Sequence, residues 1–370
     1  MRTRTRTRTR TRTRTRTLAL ALAGLAGLAS LASLGCETSG RALTDVKLTP
    51  LPSCDERGVN YRSQRRLDLL FVIDDSVSMA SKQAALARTF EALVTRLEAL
   101  PYGLPSLHVG VVTSDLGAGG FDVPACDTSN NGFLLPFDLP GQPAWLEQEG
   151  DAHNFPGTLA AAFATLRPVD HNGCGYEQPL AAMVRAVAPG LSSNPGFLRD
   201  DAVFAVVFVT DEDDCSIYPG SHLYDPLDTR WGPTSVRCFN EGVRCSGSPG
   251  GALQACHANA ESNQVVPIDV YEDFLLTLKG RDRSRLVVGA IVGNPDPVVL
   301  GINAAGVEEL LPSCRYSTGT ALPAVRLAEL VARFGTVGNR QSICNDDMTG
   351  VLSSLGDTIA ASVRGCFSPP

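Results

Sequence analysis

Residues 67–80 read LDLLFVIDDSVSMA and join a strongly apolar run to a polar cluster. The run up to Ile73 is apolar apart from Asp68, as expected of a strand that is covered on both faces of its sheet. It ends abruptly at DDSVS, residues 74–78. Carboxylates and hydroxyls cost free energy beside a buried strand unless they bind something. The stretch therefore predicts a buried strand with a candidate site at its carboxyl end.

Three further runs have the same character: HVGVVT (108–113), VFAVVFVT (203–210) and LVVGAIV (286–292). Helical periodicity fills the segments between them, most clearly in residues 81–100, where the apolar positions form one stripe. Further helices are predicted in residues 156–166, 177–187, 270–280, 321–335 and 346–363. This alternation predicts an α/β fold with a doubly wound, mostly parallel sheet flanked by helices.

Three segments are too long to be ordinary connections: residues 117–150, 216–260 and 294–320. Loops of this length in a compact domain are usually functional or cross-linked. We interpret them as insertions, and the second, which contains three Cys, as a disulfide-stapled subdomain. The predicted organisation is a signal peptide in residues 1–35, a linker in 36–60 and one domain in 61–366.

The amino-terminal segment has the composition of an export signal. Arg alternates with Thr from Arg2 to Arg16, and an apolar run from Leu18 to Gly35 ends at Cys36. The stretch ASLGC (32–36) resembles the lipobox of bacterial lipoproteins, which implies cleavage before Cys36 and lipidation of that residue. The resemblance predicts a lipid-anchored protein of the cell envelope, at the periplasmic face or the cell surface. A secreted product and a retained anchor helix are the alternatives.

The cysteines agree with export. If Cys36 carries lipid, ten of the 11 Cys remain, and none lies in a C-x-x-C pair, which argues against a zinc ribbon or a thioredoxin-like centre. Ten scattered Cys in an exported chain predict five disulfides. Their pairing is open, apart from the suggestion that Cys54 and Cys366 tie the two ends of the domain together. The ten are Cys54, Cys126, Cys174, Cys215, Cys238, Cys245, Cys256, Cys314, Cys344 and Cys366.

Without the signal peptide the chain is strongly acidic. Eight of the 32 basic residues and none of the 39 acidic ones lie in residues 1–35, which leaves 24 against 39 and a net charge of −15. Such a surface disfavours nucleic acid and anionic lipid headgroups, and it suits divalent cations.

The polar cluster after the first strand has a spacing that suits a cation. In an extended chain alternate residues face the same way, so Asp74, Ser76 and Ser78 converge while Asp75 and Val77 point elsewhere. One carboxylate and two hydroxyls are the oxygen ligands that a hard cation such as Mg²⁺ prefers.

A second acidic cluster, DEDD (211–214), follows the strand predicted at 203–210. Ligands of open α/β sheets bind beyond the carboxyl ends of strands, where the strand order reverses. If the two strands flank that point, Asp211 can face Asp74 across it. The remaining carboxylates, residues 212–214, are either part of the site or a solvated turn.

D-x-S-x-S after a first apolar strand, with a later strand ending in VTD (209–211), resembles the von Willebrand factor type A (vWA) domain and its metal-ion-dependent adhesion site. The resemblance covers about residues 66–365 and implies a vWA or Rossmann-like fold. It implies that Asp74, Ser76, Ser78 and Asp211 bind a divalent ion, Mg²⁺ or else Mn²⁺ or Ca²⁺.

The threonine that completes this site in the family is missing. The corresponding stretch, HNGCGYEQPLAAM (171–183), has Cys174 or Gly175 at that point. Because a hard ion prefers oxygen, we expect Cys174 to form a disulfide. Glu177 is a further candidate ligand, although a carboxylate stabilised by the dipole of the following helix is the simpler interpretation.

The resemblance implies a protein-binding module rather than an enzyme: the bound ion would accept an acidic residue of a partner protein. A structural envelope lipoprotein with a vestigial metal site is the first alternative. A Mg²⁺-dependent phosphotransferase or hydrolase is the second. Aspartyl phosphotransferases need another carboxylate two residues after the first, where this chain has Ser76, and no G-x-S-x-G elbow is present.

Overall fold

The computed structural model describes residues 65–101, 103–126, 129–166, 173–247 and 251–364. The predicted signal peptide, the lipidation of Cys36 and the pairing of Cys54 with Cys366 lie outside the described residues. In chain order the strands are β1 (Arg66–Ile73), β2 (Ser106–Thr113), β3 (Leu146–Glu149), β4 (Ala152–His153), β5 (Val203–Val209), β6 (Val243–Ser246), β7 (Ala252–Ala258), β8 (Leu286–Val292), β9 (Val298–Ile302), β10 (Glu308–Leu310), β11 (Cys314–Tyr316), β12 (Gly319–Ala321) and β13 (Gly338–Ser342). The helices are α1 (Ala80–Thr89), α2 (Glu91–Glu98), α3 (Leu159–Phe163), α4 (Pro179–Val187), α5 (Arg237–Gly242), α6 (Ile268–Leu278), α7 (Val325–Arg333) and α8 (Thr349–Arg364).

The largest sheet has seven strands in the order β13-β8-β5-β1-β2-β3-β4. The five strands from β13 to β2 are parallel, and β3 and β4 continue the sheet in antiparallel orientation. The strand order reverses between β1 and β5, because the chain proceeds outward to β2 on one side and to β8 and β13 on the other. The predicted α/β class, with a large and mostly parallel sheet, is confirmed.

Helices cover both faces of this sheet. Leu69 and Phe71 of β1 pack on one face with apolar side chains of α1, α2 and α8. Leu70 and Val72 pack on the other face with those of α4, α6 and α7. Coverage on both sides is the reason that β1 is apolar along its length and lacks polar alternation.

Several elements differ from the sequence prediction, among them one helix and an edge strand of the largest sheet. The helix expected in residues 81–100 consists of α1 and α2, which meet at Phe90, a fully buried residue. The edge strand β13 was not predicted, because its sequence GNRQS is polar and lies at the margin of the sheet, half exposed. Periodicity reports burial, so an edge strand with little burial leaves no signal.

The second and third predicted insertions form one structure. Strands β6 and β7 from the second and β9 and β10 from the third make an antiparallel sheet in the order β10-β9-β7-β6. A disulfide between Cys245 and Cys256 links β6 to β7. Strands β11 and β12 form a separate hairpin.

Four disulfides are present among the described residues, and they agree with the prediction of an oxidising compartment. They join Cys126 to Cys174, Cys215 to Cys238, Cys245 to Cys256 and Cys314 to Cys344. This content indicates an exported or extracellular protein. Within the described residues, none of the helices has the length and apolar character needed to span a bilayer.

Candidate metal centre

The candidate site lies at the carboxyl edge of the parallel sheet, where the strand order reverses. The backbone pairing continues one residue past β1: Asp74 N–H donates to Val209 O at 2.9 Å, and Ser114 N–H donates to Ile73 O at 3.1 Å. The residues that follow β1, β2 and β5 therefore emerge side by side at this edge. Such a crevice is the usual ligand site of open α/β sheets.

The carboxylate of Asp74 is fully buried and held in one orientation. Its Oδ1 accepts a hydrogen bond from Ser76 N at 2.8 Å, and its Oδ2 accepts one from Thr210 Oγ1 at 2.7 Å. The backbone oxygen of Asp74 accepts from Gln83 Nε2 at 2.8 Å. Thr210 was not predicted as a site residue, although it belongs to the VTD stretch that suggested Asp211.

The structure brings the four predicted ligands together. Ser76 Oγ and Ser78 Oγ lie 2.9 Å apart, and Ser78 Oγ donates to Asp211 Oδ1 at 3.2 Å. With the bond from Ser76 N to Asp74, these contacts link Asp74, Ser76, Ser78 and Asp211 in one hydrogen-bonded chain. The convergence does not arise from an extended chain, since Val77–Met79 form a 3-10 turn.

The prediction that Asp75 points away from the site was wrong. A carboxylate oxygen of Asp75, one of Asp74 and one of Glu177 all lie within 4.8 Å of one another. Asp75 is only 5% exposed, because the loop at Gly173 covers it. A Cβ atom on Gly173 would lie 2.2 Å from Asp75 Oδ1, so any other residue there would force the Asp75 carboxylate to move. Val77, in contrast, is 70% exposed and does point away.

Glu177 is not a simple carboxylate at a helix terminus. Helix α4 begins at Pro179, and Glu177 precedes the N-cap residue Gln178 and is fully buried. Its Oε2 accepts a hydrogen bond from Ser114 Oγ. Its backbone oxygen accepts from Cys215 N at 2.7 Å, which fixes the loop between the ends of β2 and β5.

The expected disulfide of Cys174 is confirmed. Its bond to Cys126 removes Cys174 as a ligand and anchors the loop that covers Asp75. Glu177, three residues further along, is therefore the side chain from this loop that reaches the acidic cluster.

The acidic cluster is poorly neutralised. No Lys, Arg or His in the described ranges forms an ion pair with Asp74, Asp75, Glu177 or Asp211. Lys82 lies nearby, but its Nζ donates to Asn345 O at 3.0 Å and lies 3.7 Å from the Tyr316 ring centroid.

The pKa values of these carboxyls respond to this environment. Burial, then the charges of Asp115 and Asp74, raises the pKa of Asp75 to about 7. Burial and Asp74 raise the pKa of Asp211 to about 7. Burial and Asp74 also raise the pKa of Glu177 well above its ordinary value. Each shift means that the folded chain resists carrying these negative charges without a cation.

Tyr316 is a further residue of the site that the sequence did not reveal. Its hydroxyl donates to Asp211 Oδ2 at 3.4 Å, and burial together with Asp211 raises the pKa of Tyr316 to about 12. The hairpin of β11 and β12 carries it to the site and is fixed by the bond between Cys314 and Cys344. Only the tertiary fold brings this hairpin to β5.

The run Glu212–Asp214 is not a solvated turn. Asp213 accepts hydrogen bonds from the backbone N–H groups of Arg326 (2.8 Å) and Leu327 (3.1 Å) at the start of α7. Asp214 is buried and pairs with Arg326 Nη2 at 2.9 Å. These two carboxylates are structural, and among the described contacts Asp214 alone of the three forms an ion pair.

The donor set fits a hard cation. It consists of carboxylate and hydroxyl oxygens, which Mg²⁺, Mn²⁺ and Ca²⁺ accept as ligands. Two of these oxygens, Asp75 Oδ1 and Glu177 Oε1, are buried and have no hydrogen-bond partner among the described residues. Buried polar atoms of folded proteins are nearly always paired, so these two point to a group that would complete the cluster.

Comparison with known proteins gives little. No family model matches the chain, and no curated protein matches it. Among solved structures, proximal thread matrix protein 1 from the mussel byssus superposes with a TM-score of 0.34 and 12% identity, over 80% of this chain and 48% of that one. The pilus adhesin SpaC from Lactobacillus rhamnosus GG, in its open conformation, superposes with a TM-score of 0.34 and 10% identity, over 80% of this chain and 30% of that one. The chain thus spans less than half the length of each.

Proposed function

We propose that this protein is a divalent-metal-dependent protein-binding module of the vWA type, with Asp74, Ser76, Ser78 and Asp211 as its metal ligands and Glu177 as a further one. The observation that carries the proposal is the uncompensated acidic cluster at the carboxyl edge of the sheet. Oxygens of Asp74, Asp75 and Glu177 lie within 4.8 Å of one another, and no basic group of the described chain pairs with these three carboxylates. Asp211 joins them through its hydrogen bond with Ser78. Mg²⁺ is the preferred ion, with Mn²⁺ and Ca²⁺ as alternatives.

The topology supports the doubly wound, vWA-like interpretation of the fold. The strand order reverses between β1 and β5, and helices cover both faces of the sheet. The D-x-S-x-S residues directly follow β1, and Asp211 follows β5 after one residue. Fold alone does not define function, so the proposal rests on the site.

The residues of the site have distinct tasks. Thr210 and Ser76 N–H hold the Asp74 carboxylate, and Ser114 holds that of Glu177, so these oxygens are oriented before any ligand binds. A cation bound here would supply an electrophilic centre for a carboxylate of a partner protein. Ser78 is exposed whereas Asp74 and Glu177 are buried, which leaves the serine side of the cluster open to a partner.

The proposed setting is the cell envelope. The four disulfides agree with an exported chain, and the lipobox-like ASLGC stretch supports a lipid anchor at Cys36. The partner is a protein that presents an acidic side chain, and no nucleic acid is expected to bind.

Calorimetric titration tests the metal site. MgCl₂, MnCl₂ and CaCl₂ are titrated into the metal-free wild type, the Asp74→Asn variant and the matched Asp151→Asn variant, whose carboxylate is exposed on the surface. We expect one binding event in the wild type and in Asp151→Asn, and none in Asp74→Asn. Absence of binding in the wild type would support the vestigial-site alternative and refute the proposal.

Partner binding is tested on the immobilised full chain with envelope extract. Retention of a partner should require Mg²⁺ and disappear with chelator or in Asp74→Asn. Retention that is indifferent to both treatments contradicts metal-dependent recognition, even if the metal itself binds.

A further inference from the structure

A cavity of about 260 Å³ lies beside the candidate metal centre, between the loop after β5, helix α5, strand β10 and the start of α7. Five acidic residues and a single basic residue line it. The acidic residues are Glu177, Glu212, Asp213, Asp214 and Glu309, and the basic residue is Arg326.

Arg326 does not neutralise the whole cavity. Its Nη2 pairs with Asp214 at 2.9 Å and donates to Val266 O at 2.7 Å, so its charge is matched by one carboxylate. Asp213 is satisfied by backbone N–H groups of α7. Glu177, Glu212 and Glu309 have no ion pair within the described chain, so the carboxyl groups of the lining outnumber its single cation.

One residue of this lining, Glu177, carries a buried atom without a partner. Glu177 is 1% exposed, and Ser114 occupies its Oε2. The other oxygen, Oε1, is buried with no hydrogen-bond partner in the described part of the chain. A buried carboxylate oxygen without a donor is costly, so Glu177 leaves an unmet hydrogen-bonding requirement where the cavity adjoins the metal centre.

Much of the remaining lining is apolar, which distinguishes a long side chain from a bare ion. Tyr176, Phe239, Leu310, Leu322 and Pro323 line the cavity beside the carboxylates. A metal ion gains nothing from such walls. Lys and Arg side chains combine an aliphatic stem with a cationic end, and they bury the stem against apolar surface.

We propose that this cavity receives a Lys or Arg side chain of the partner protein, with Arg favoured because its planar guanidinium can donate to several carboxylates at once. The inference rests on the proposed function only for the identity of the partner. Glu177 belongs to both the cavity and the acidic cluster of the metal centre, so the two lie side by side. The partner would therefore present a basic residue close to the acidic residue that binds the metal.

The proposal is tested by NMR titration of the full chain with N-acetyl-L-arginine methylamide. Its neutral isostere, N-acetyl-L-citrulline methylamide, is the control probe. We expect the arginine probe alone to shift the amide signals of residues that line the cavity, such as Phe239 and Leu310. Equal shifts with the citrulline probe, or no shifts at these amides, overturn the proposal.

Two neighbouring residues of β10 give matched variants. Glu309 lines the cavity, and Glu308 does not. Glu309→Gln should weaken binding of the arginine probe about tenfold, because one charged hydrogen-bond partner is lost. Glu308→Gln should leave the affinity for the probe unchanged. Equal affinity of Glu309→Gln and wild type contradicts the assignment.

The Asp74→Ala variant separates this inference from the proposed metal site. The arginine probe should still bind to it in the presence of chelator, because Glu212 and Glu309 remain. If the arginine probe still binds and the wild type binds no metal, the metal proposal is refuted and the inference about the cavity stands. Displacement of the probe from Asp74→Ala by MgCl₂ at constant ionic strength would identify the cavity as a metal site and overturn the inference.

Discussion

Strand β1 carries a buried aspartate near each end, and the two have opposite surroundings. Asp68, near the amino end, pairs with the Arg199 guanidinium at 2.7 Å and accepts from Arg199 N at 2.6 Å. Asp74, just past the carboxyl end, accepts from Ser76 N and Thr210 Oγ1 and lies among other carboxylates. Both are fully buried.

The difference shows how this fold treats a buried charge. Burial raises the pKa of Asp68, but Arg199 opposes that shift, so the amino end is balanced by the protein itself. At the carboxyl end, burial raises the pKa of Asp211 and of Glu177, and the charge of Asp74 adds to that rise instead of opposing it. The amino end of β1 therefore has a cationic partner within the chain, and the carboxyl end has none among the described residues. We infer that the carboxyl end depends on an external cation.

The largest expected effect is the loss of stability when the cationic partner of Asp68 is removed. Arg199→Met leaves Asp68 buried without its cation and should lower the free energy of unfolding by about 3–5 kcal/mol, equally with and without Mg²⁺. Urea denaturation measures this. Asp74→Asn, the corresponding change at the other end, should not destabilise the metal-free protein comparably, since it removes a repelled charge. A loss below about 1 kcal/mol in Arg199→Met would contradict the contrast.

The next largest effect is the stabilisation of the protein by a cation bound at the carboxyl end of β1. Mg²⁺ at 100 times its dissociation constant should stabilise the wild type by about 2.7 kcal/mol, because only the folded chain assembles the site. Thermal unfolding in MgCl₂ and in NaCl of equal ionic strength measures the difference. Asp74→Asn should show no specific stabilisation by Mg²⁺, and an equal response in that variant would argue against the site.

A pH dependence of the free energy of unfolding is expected in chelator. The folded-state pKa of Asp75 is raised to about 7, so the folded chain holds the proton more tightly than the unfolded chain. The stabilisation from this group is full below about pH 4 and is lost as the pH rises through about 7.

The measurement is the difference in unfolding free energy between wild type and Asp75→Asn from pH 4.5 to 8. The variant should gain relative to the wild type as the pH rises, and saturating Mg²⁺ should reduce that gain. A difference that is independent of pH in chelator would mean that Asp75 is not an uncompensated buried carboxyl.

The smallest effect concerns orientation. Thr210→Val removes the hydroxyl that donates to Asp74 Oδ2. The affinity for Mg²⁺ should fall about tenfold, the usual result of losing a group that orients a metal ligand. Thr210→Ser keeps the hydroxyl and should retain the wild-type affinity. Calorimetry distinguishes the two variants, and identical affinities would show that Thr210 does not orient Asp74.

Local patterns in the sequence predicted four of the seven strands of the largest sheet and the four candidate ligands. An apolar run that ends in a polar motif is a contiguous signal, and β1 with Asp74, Ser76 and Ser78 could be read from it. The position of Asp211 followed from a second such run and a general rule on strand ends.

The rest of the site depends on tertiary structure. Asp75 enters the cluster because the chain turns at Val77–Met79 and because Gly173, almost a hundred residues away, packs over it. Tyr316 reaches Asp211 from a hairpin of two three-residue strands, which are too short to show a periodic pattern in the sequence. Alternation rules assume that the strand continues, and they fail where it ends.

Diffraction from crystals grown with MnCl₂, recorded at the manganese absorption edge, tests the central claim most directly. We predict one anomalous peak at the carboxyl edge of the sheet, coordinated by oxygens of Asp74, Ser76 and Ser78 and adjacent to Asp211. No peak there, or a lysine or arginine side chain lying between Asp74 and Asp211, would contradict a metal-dependent module.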